Sequence, residues 1–367
     1  MSEPLRAATI DTAAIRHNVG LVLGKVGDRA LMAVVAHNGY GHGAIAVARE
    51  AIASGAQYLA VSTVTEGIRL REAGIAAPIL AWRHPIDADF LDAAVHQITP
   101  AIASIAELEA AAAAGVGEIH LAAAVGRGLL GCLPEDWSGL IAGAAELESA
   151  DGGVWVTGIM GRGEQGQATA MTLQRELDEF EALVQQARAV GLRPKHTHLG
   201  GSAAVLNGSL GGQTMLRVGR ALYGLSPFDG EAAEFGLAPA MRLTARVIAT
   251  KRIEAGEGIS YGYTYRSTQR SNLALVAIGY VHGVDRSASN RAFAQLHAAR
   301  HPIAGRVAMD VFVLDLKDDH ARVGEDVVLF GDPSRGDPAL SSWAAAVGRR
   351  PEEVVTDLAA TVRRIYR

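Results

Sequence analysis

Acid–base chemistry is the first chemistry that the side chains of this sequence suggest. Histidine is the side-chain type whose charge changes near neutral pH, which makes His282 and His37 candidates, and the phenol of Tyr280 can share a proton where cationic groups lie beside it. Glu164 is the carboxylate candidate. Because His37 directly follows Ala36, we expect it to point outward in a structural role. Tyr280, His282 and Glu164 are therefore the predicted catalytic residues.

Three arginines in glycine-rich segments, Arg127, Arg162 and Arg217, are suited to holding an anionic substrate such as a carboxylate, because a planar guanidinium binds carboxylates through two hydrogen bonds. Arg162 is followed two residues later by Glu164. These two side chains either act on the substrate or form an ordinary ion pair, and both interpretations stay open.

A metal site is not predicted. His196 and His198 alternate along a predicted strand and so point to the same side, with a His-x-His spacing known from metal ligands. A third ligand is not evident in the sequence.

The elements that must position these residues are predicted from hydrophobic periodicity. Between about residues 31 and 226, eight short apolar runs alternate with amphipathic stretches, which is typical of βα units and a closed parallel barrel. The runs are "LMAVV", "YLAVS", "PILAW", "ITPAI", "EIHLAA", "VWVTGIM", "HTHLG" and "MLRV". Later segments alternate apolar and polar residues with glycine turns, which indicates antiparallel strands. We predict an α/β protein with a (β/α)8 TIM barrel over residues 1–236 and a C-terminal antiparallel β domain over 237–367.

Composition excludes several classes of function. The chain has 367 residues, of which 49% are hydrophobic and 20% charged, so it can bury a large core. A net charge of -5 without a basic stripe argues against nucleic-acid binding, and no window approaches the roughly 18 apolar residues of a membrane span. The N-terminus lacks the apolar region of a signal peptide. Cys132 is the only cysteine, which rules out an intramolecular disulfide and favours a cytoplasmic protein.

Several ordered motifs resemble the alanine racemase family across essentially the whole chain. They are "TIDTAAIRHNV", "YGHGA", "RVGRALYGLSP", "GISYGYTYRS", "GYVHGVDR", "AGRVAMD" and "VRRIYR". The resemblance implies a barrel followed by a β domain, pyridoxal phosphate (PLP) as cofactor, and an active site at the interface of a homodimer.

Departures from the family pattern concentrate in the cavity that the resemblance implies. Ala36 stands where the family has the lysine that forms the Schiff base with PLP, and a methyl group can neither hold the cofactor nor act as a base. Other family positions that have changed are Ala122, Ala124, Leu129, Arg162, Gly201, His282 and Glu352. Ser202 follows Gly201 in the former asparagine-serine pair. Residues that match the pattern are Tyr40 near the phosphate, Arg217 facing the pyridine nitrogen, Tyr280 as the second base, and Met309 and Asp310 at the substrate end.

Arg220 and Glu352 both fall at the family's phosphate site according to the resemblance. A bidentate ion pair between them would fill that site from within, and the carboxylate would repel a phosphate dianion. The alternative is that they are two solvated rim charges that never meet.

These departures lead to three functional hypotheses. The first is a PLP-independent isomerisation, cyclisation or elimination on a small, carboxylate-bearing substrate, with no cofactor and a missing catalytic lysine. The second is a catalytically inactive homologue that binds a metabolite or a partner chain as a regulator. The third is a racemase that still binds PLP loosely. Tyr280 is the preferred acid–base residue in the first, and Arg162, Arg217 and Arg220 are its anion-binding groups.

Overall fold

The structure is a computed structural model that describes residues 4–85, 87–126, 130–150, 153–162 and 170–367. Two candidate residues, Arg127 and Glu164, lie outside the described residues, and so does the side chain of Arg162.

The strands and helices, numbered in chain order, alternate regularly in the first two thirds of the chain. The strands are β1 (Arg6–Ile10), β2 (Ala30–Val34), β3 (Tyr58–Val61), β4 (Ile79–Ala81), β5 (Thr99–Ile102), β6 (Glu118–Ala124), β7 (Trp155–Arg162), β8 (His196–His198), β9 (Met215–Val218), β10 (Met241–Ile253), β11 (Gly258–Ile259), β12 (Tyr265–Arg266), β13 (Ser271–Val276), β14 (Phe293–Leu296), β15 (Ala299–Pro302), β16 (Phe312–Lys317), β17 (Asp326–Phe330) and β18 (Arg363–Tyr366). The helices are α1 (Thr12–Val26), α2 (Ala36–Tyr40), α3 (Ala44–Ala53), α4 (Val64–Glu72), α5 (Leu91–Val95), α6 (Ile105–Ala113), α7 (Pro134–Glu148), α8 (Ala170–Ala189), α9 (Ser202–Asn207), α10 (Leu340–Val347) and α11 (Pro351–Thr356).

The predicted parallel barrel is confirmed. Strands β2 to β9 form one eight-stranded sheet in which every neighbouring pair is parallel, in the order β8-β7-β6-β5-β4-β3-β2-β9. Its two edges approach through backbone hydrogen bonds from the Thr214 N–H to the Thr197 carbonyl, 3.1 Å, and from the Arg217 N–H to the Gly200 carbonyl, 3.2 Å. The eight strands correspond to the eight apolar runs, because a parallel strand covered by helices is buried on both faces.

The second domain is built on an antiparallel-rich sheet, as predicted, with the path β15-β14-β17-β10-β1-β18, to which β13 adds by pairing with β10 and β16 adds by pairing with β13. One strand of this sheet was not expected from the sequence. Strand β1 pairs with β10 antiparallel and with β18 parallel, so the first described strand belongs to the second sheet and not to the barrel. The boundary between residues 236 and 237 stays a prediction.

Helix starts follow local rules. The Thr63 hydroxyl accepts from the Glu66 N–H at the start of α4, and Ser104 accepts from the Glu107 N–H at the start of α6, 3.2 Å. These caps set where each helix begins after its strand, and so fix the loops at the carboxyl end of the barrel.

The barrel interior is an apolar cluster separate from the layer between strands and helices. It consists of Met32, Val34, Ala36, Ala60, Leu80, Ala101, Met160 and Met215. Ala36 is 3% exposed and belongs to this cluster, which forms the apolar floor of the barrel. Within the described residues, no helix is long and apolar enough to cross a membrane.

Candidate active site

A cavity of about 920 Å³ opens at the carboxyl end of the barrel strands, where barrel enzymes place their active sites. Methyl-bearing residues of the apolar floor lie at its base. Polar and aromatic side chains surround it: Tyr40, Trp82, His84, Glu107, Ser202, Arg217, Arg220, Arg350 and Glu352. Of the predicted site residues, Tyr40, Ser202, Arg217, Arg220 and Glu352 therefore meet in one cavity.

The segment after β2 turns in a left-handed conformation. His37, Asn38 and Tyr40 have φ angles of 52°, 54° and 50°, which costs about 1–2 kcal/mol for each residue other than glycine. Two side chains hold the turn: Glu66 Oε1 accepts from the His37 N–H at 2.6 Å, and Asn38 Oδ1 accepts from the Ala44 N–H at 3.1 Å. Strain retained in this way is common beside functional sites.

This turn changes the interpretation of His37. The sequence suggested that its side chain points outward, but the left-handed backbone brings it to the cavity wall, where its Nε2 lies 3.2 Å from the Ser62 hydroxyl. The direction of a side chain after a strand depends on the backbone angles of the turn, which the residue types did not reveal.

Arg217 is fixed at the floor of the cavity. Its Nη1 donates to the His198 carbonyl at 2.8 Å and to His198 Nδ1 at 2.5 Å, and its Nη2 donates to the Gly161 carbonyl at 2.7 Å. The side chain is 9% exposed. Because the acceptors belong to the neighbouring strands β7 and β8, the barrel itself sets the position of this positive charge.

A chain of neutral imidazoles supports Arg217. His198 Nδ1 accepts from the arginine, so His198 carries its proton on Nε2 and donates it to His120 Nδ1, 2.8 Å away. Burial lowers the pKa of His120 to about 3 and the pKa of His198 well below its usual value, with the positive charge of Arg217 adding to both. Both rings are therefore uncharged at neutral pH.

His196, the other histidine of the His-x-His spacing, lies beside this chain, with its ring centroid 6.4 Å from that of His120. His196, whose pKa burial lowers to about 4, hydrogen-bonds through Nε2 to the Tyr58 hydroxyl at 2.8 Å. In the part of the chain that the structure describes, no group of three or more His, Cys, Asp or Glu side chains is placed to hold a metal ion. The two histidines of this spacing belong to a buried polar cluster, whose other members, His120 and Tyr58, were not identified from the sequence.

Arg220 and Glu352 meet at another side of the cavity. Arg220 Nη1 lies 3.1 Å from Glu352 Oε1, and their side chains are 16% and 19% exposed. Arg350, a cavity residue not singled out from the sequence, lies 3.8 Å from the same carboxylate oxygen. Of the two alternatives for Arg220 and Glu352, the structure has the ion pair.

Four of the candidates from the second domain, Tyr280, His282, Met309 and Asp310, do not line the cavity of their own chain. Tyr280 is 42% and Met309 54% exposed, and Asp310 is exposed beside them. His282 is buried, and its Nδ1 accepts from the Gly279 N–H at 3.1 Å. Burial and the nearby Arg6 lower the pKa of His282. The structure thus separates these four residues from the five that share the cavity.

PLP, the cofactor implied by the resemblance, requires an amine for its aldehyde and a cationic or hydrogen-bonding site for its phosphate. Tyr40, Ser202 and Arg217 offer polar groups, but residue 36 contributes a methyl group, and none of the four lysines of the chain, Lys25, Lys195, Lys251 and Lys317, lines the cavity. A carboxylate, Glu352, faces the cavity beside Arg220. These residues do not fit a lysine-bound PLP, so we derive no reaction step through the cofactor.

Comparison with known proteins gives a consistent result. Residues 10–227 match the family model of the alanine racemase N-terminal domain, and residues 240–366 match that of the C-terminal domain. The alanine racemase of Salinispora arenicola is 40% identical over 96% of this chain and 95% of the relative, and that of Thermobifida fusca is 38% identical over 98% and 97%. The crystal structure of alanine racemase from D-cycloserine producing Streptomyces lavendulae has a TM-score of 0.95 at 35% identity, covering 100% of this chain and 98% of that chain.

These relatives correct the functional predictions drawn from Ala36. Proteins that are 35–40% identical over nearly the full length are named alanine racemase, which supports ordinary racemase function and overturns both the PLP-independent reaction and the inactive binding partner. The prediction of no cofactor is wrong for the same reason, because the family implies PLP. Ala36, taken as a missing catalytic lysine, does not establish that racemase chemistry was lost. Both domains match in chain order over nearly the whole length, and the chain belongs to the alanine racemase family.

Proposed function

We propose that this protein is an amino-acid racemase that interconverts the enantiomers of alanine or of a similarly small amino acid. The observation that carries the proposal is the similarity to an alanine racemase at 40% identity across 96% of the chain. The polar cavity at the carboxyl end of the barrel strands supports it, because that is the end at which this fold performs chemistry.

Arg217 has a positioning role in this proposal. A guanidinium stays protonated throughout the working pH range, and three hydrogen bonds to strand atoms and His198 prevent it from following a moving ligand. It therefore presents a fixed positive charge to any electron-rich atom of a bound ligand. Tyr40 and Ser202 add hydroxyl groups to the same cavity.

Racemisation needs a proton to leave one face of the α-carbon and another to arrive on the opposite face, so we assign an acid–base role to Tyr280. It lies in an exposed patch of the second domain with Val281 and Met309, which are 49% and 54% exposed. The patch is held together by the hydrogen bond from the Val281 N–H to the Met309 carbonyl, 3.1 Å. Adjacent exposed apolar side chains favour a protein interface.

A homodimer would join the two groups of site residues. In it, a second copy of the chain brings Tyr280, Met309 and Asp310 to the mouth of the cavity, where the chain's own residues supply Arg217 and Tyr40. This arrangement accounts for the exposure of Tyr280 and for its absence from the lining of its own cavity. A cytoplasmic location belongs to the same proposal and rests on the single cysteine.

The test is the conversion of L-alanine to D-alanine in the presence of PLP, followed by chiral chromatography, for the natural chain and for Ala36→Lys. The variant serves as the control because it places an amine on the cavity floor. Turnover by the natural chain above a protein-free PLP blank supports the proposal. Turnover by Ala36→Lys alone, or by neither protein, contradicts it.

A further inference from the structure

One side of the cavity gathers positive charge from two domains. Arg220 comes from the 3-10 helix Arg220–Tyr223 after β9, and Arg350 precedes α11 of the second domain. Both line the cavity, as does Thr356. Two guanidinium groups facing one cavity are the side chains best suited to a phosphate or carboxylate group.

The chain supplies its own anion at this position. Glu352 Oε1 lies 3.1 Å from Arg220 and 3.8 Å from Arg350. Its charge cancels one of the two positive charges, so the three side chains together carry a formal charge of about +1 at neutral pH. An entering anion therefore meets a site in which Arg220 is already paired with a carboxylate.

The ion pair between Glu352 and Arg220 can be broken by rotation of side chains alone. The backbone carbonyl of Glu352 accepts a hydrogen bond from the Thr356 hydroxyl within α11, 2.6 Å, whereas the Glu352 carboxylate is at the end of rotatable bonds. Its contact with Arg220 joins residues 132 positions apart, and both side chains keep some exposure to water. A ligand anion could take the place of the carboxylate at Arg220 without moving the helix.

We propose that Glu352 is a built-in competitor for anions in this cavity: a phosphate-bearing ligand binds at Arg220 by displacing the Glu352 carboxylate, and Glu352 thereby sets the affinity for the phosphate group. The proposal rests on the proposed function in that it concerns ligands of the same cavity. Its test measures binding and needs no turnover, so a protein that fails as a racemase can still confirm it.

The matched control is Glu107→Gln. Glu107 lines the same cavity but follows β5, which is four positions from β9 around the eight-stranded barrel and so on the opposite side. Glu352→Gln and Glu107→Gln each remove one negative charge from the cavity and keep the side-chain shape. A general charge effect would raise anion affinity equally in both variants.

Isothermal titration calorimetry with inorganic phosphate, and with PLP against pyridoxal, tests the proposal. Loss of a like charge about 4 Å from the phosphate should tighten binding of phosphate and PLP to Glu352→Gln by about tenfold or more, with pyridoxal, which lacks the phosphate, nearly unchanged. Glu107→Gln should change phosphate affinity by less than about twofold, because separated charges are screened. An equal gain in both variants, or no gain in Glu352→Gln, overturns the proposal.

Arg220→Gln keeps the proposal testable even if Glu352→Gln folds poorly. Removing the cation should weaken phosphate binding by about tenfold, since ligand and Glu352 compete for the same guanidinium. Combined with Glu352→Gln, it should abolish most of the gain seen in the single variant. A full gain in the double variant would mean that phosphate binds elsewhere.

Discussion

Arg217 and Arg220 lie three positions apart and line the same cavity, yet the structure holds them in opposite ways. Arg217 is on a barrel strand and donates to the carbonyls of Gly161 and His198, which cannot leave their strands. Arg220 follows the strand and pairs with Glu352, a carboxylate from the second domain. The difference shows that backbone carbonyls hold the charge on the strand, while the charge beyond the strand is paired with a side-chain carboxylate, which we propose a ligand anion displaces.

Substituting Arg217 should have the largest effect on stability. Arg217→Met leaves the His198 and Gly161 acceptors buried without their donor, so the free energy of unfolding should fall by about 3 kcal/mol. Arg220→Met is the matched control and should cost less than about 1 kcal/mol, because its ion pair is partly solvated. Urea unfolding of both variants measures the difference, and equal losses would show that the two arginines are held alike.

The imidazoles behind Arg217 should give the next largest effect. Since burial depresses the pKa of His120 to about 3, the unfolded chain binds a proton below about pH 6.5 that the folded protein rejects, and stability falls as the pH decreases from there. His120→Asn removes this contribution, so the slope of unfolding free energy near pH 5 should become shallower by up to about 1.4 kcal/mol per pH unit.

Urea unfolding at several pH values between about 4 and 7 tests this slope. His320→Asn, at a solvent-exposed position, controls for the loss of one imidazole. If His120→Asn keeps the slope of the natural chain, then the folded protein does not hold the His120 imidazole in its uncharged form.

The smallest effect is expected for the exchangeable pair itself. A double-mutant cycle of Arg220→Met and Glu352→Gln should give a coupling energy below about 1 kcal/mol that declines as sodium chloride is added, because the pair is reached by solvent and ions. A coupling energy well above this value, unaffected by salt, would mean that the pair is locked as firmly as Arg217 and would weaken the case for displacement by a ligand.

Features close together in the sequence were predictable. The eight apolar runs became strands β2 to β9, and a local hydrogen bond from the Glu107 N–H to the Ser104 hydroxyl begins α6. In each case residues within a few positions decide the structure, through burial on both faces of a strand or through a hydroxyl that satisfies a free N–H group.

Contacts between distant residues were much less predictable. The hydrogen bond between His198 and His120 joins residues 78 positions apart, and no periodicity in the sequence predicts it. The spacing of His196 and His198 matched a known pattern of metal ligands, although no third ligand was evident and no metal site was predicted. The inference from Ala36 to a changed function failed for a different reason. It gave one residue more weight than the similarity of the whole chain to its relatives.

The sequence by itself therefore determined the barrel, the antiparallel domain and the family, because hydrophobic periodicity and ordered motifs are properties of local stretches. Only the tertiary structure decided that β1 belongs to the second sheet, that His37 faces the cavity, that Arg220 meets Glu352, and that Tyr280 lies outside its own chain's cavity. Those outcomes depend on which distant segments the folded chain brings together. The residue types alone do not reveal them, because a side chain has the same chemical groups whether or not it contacts another.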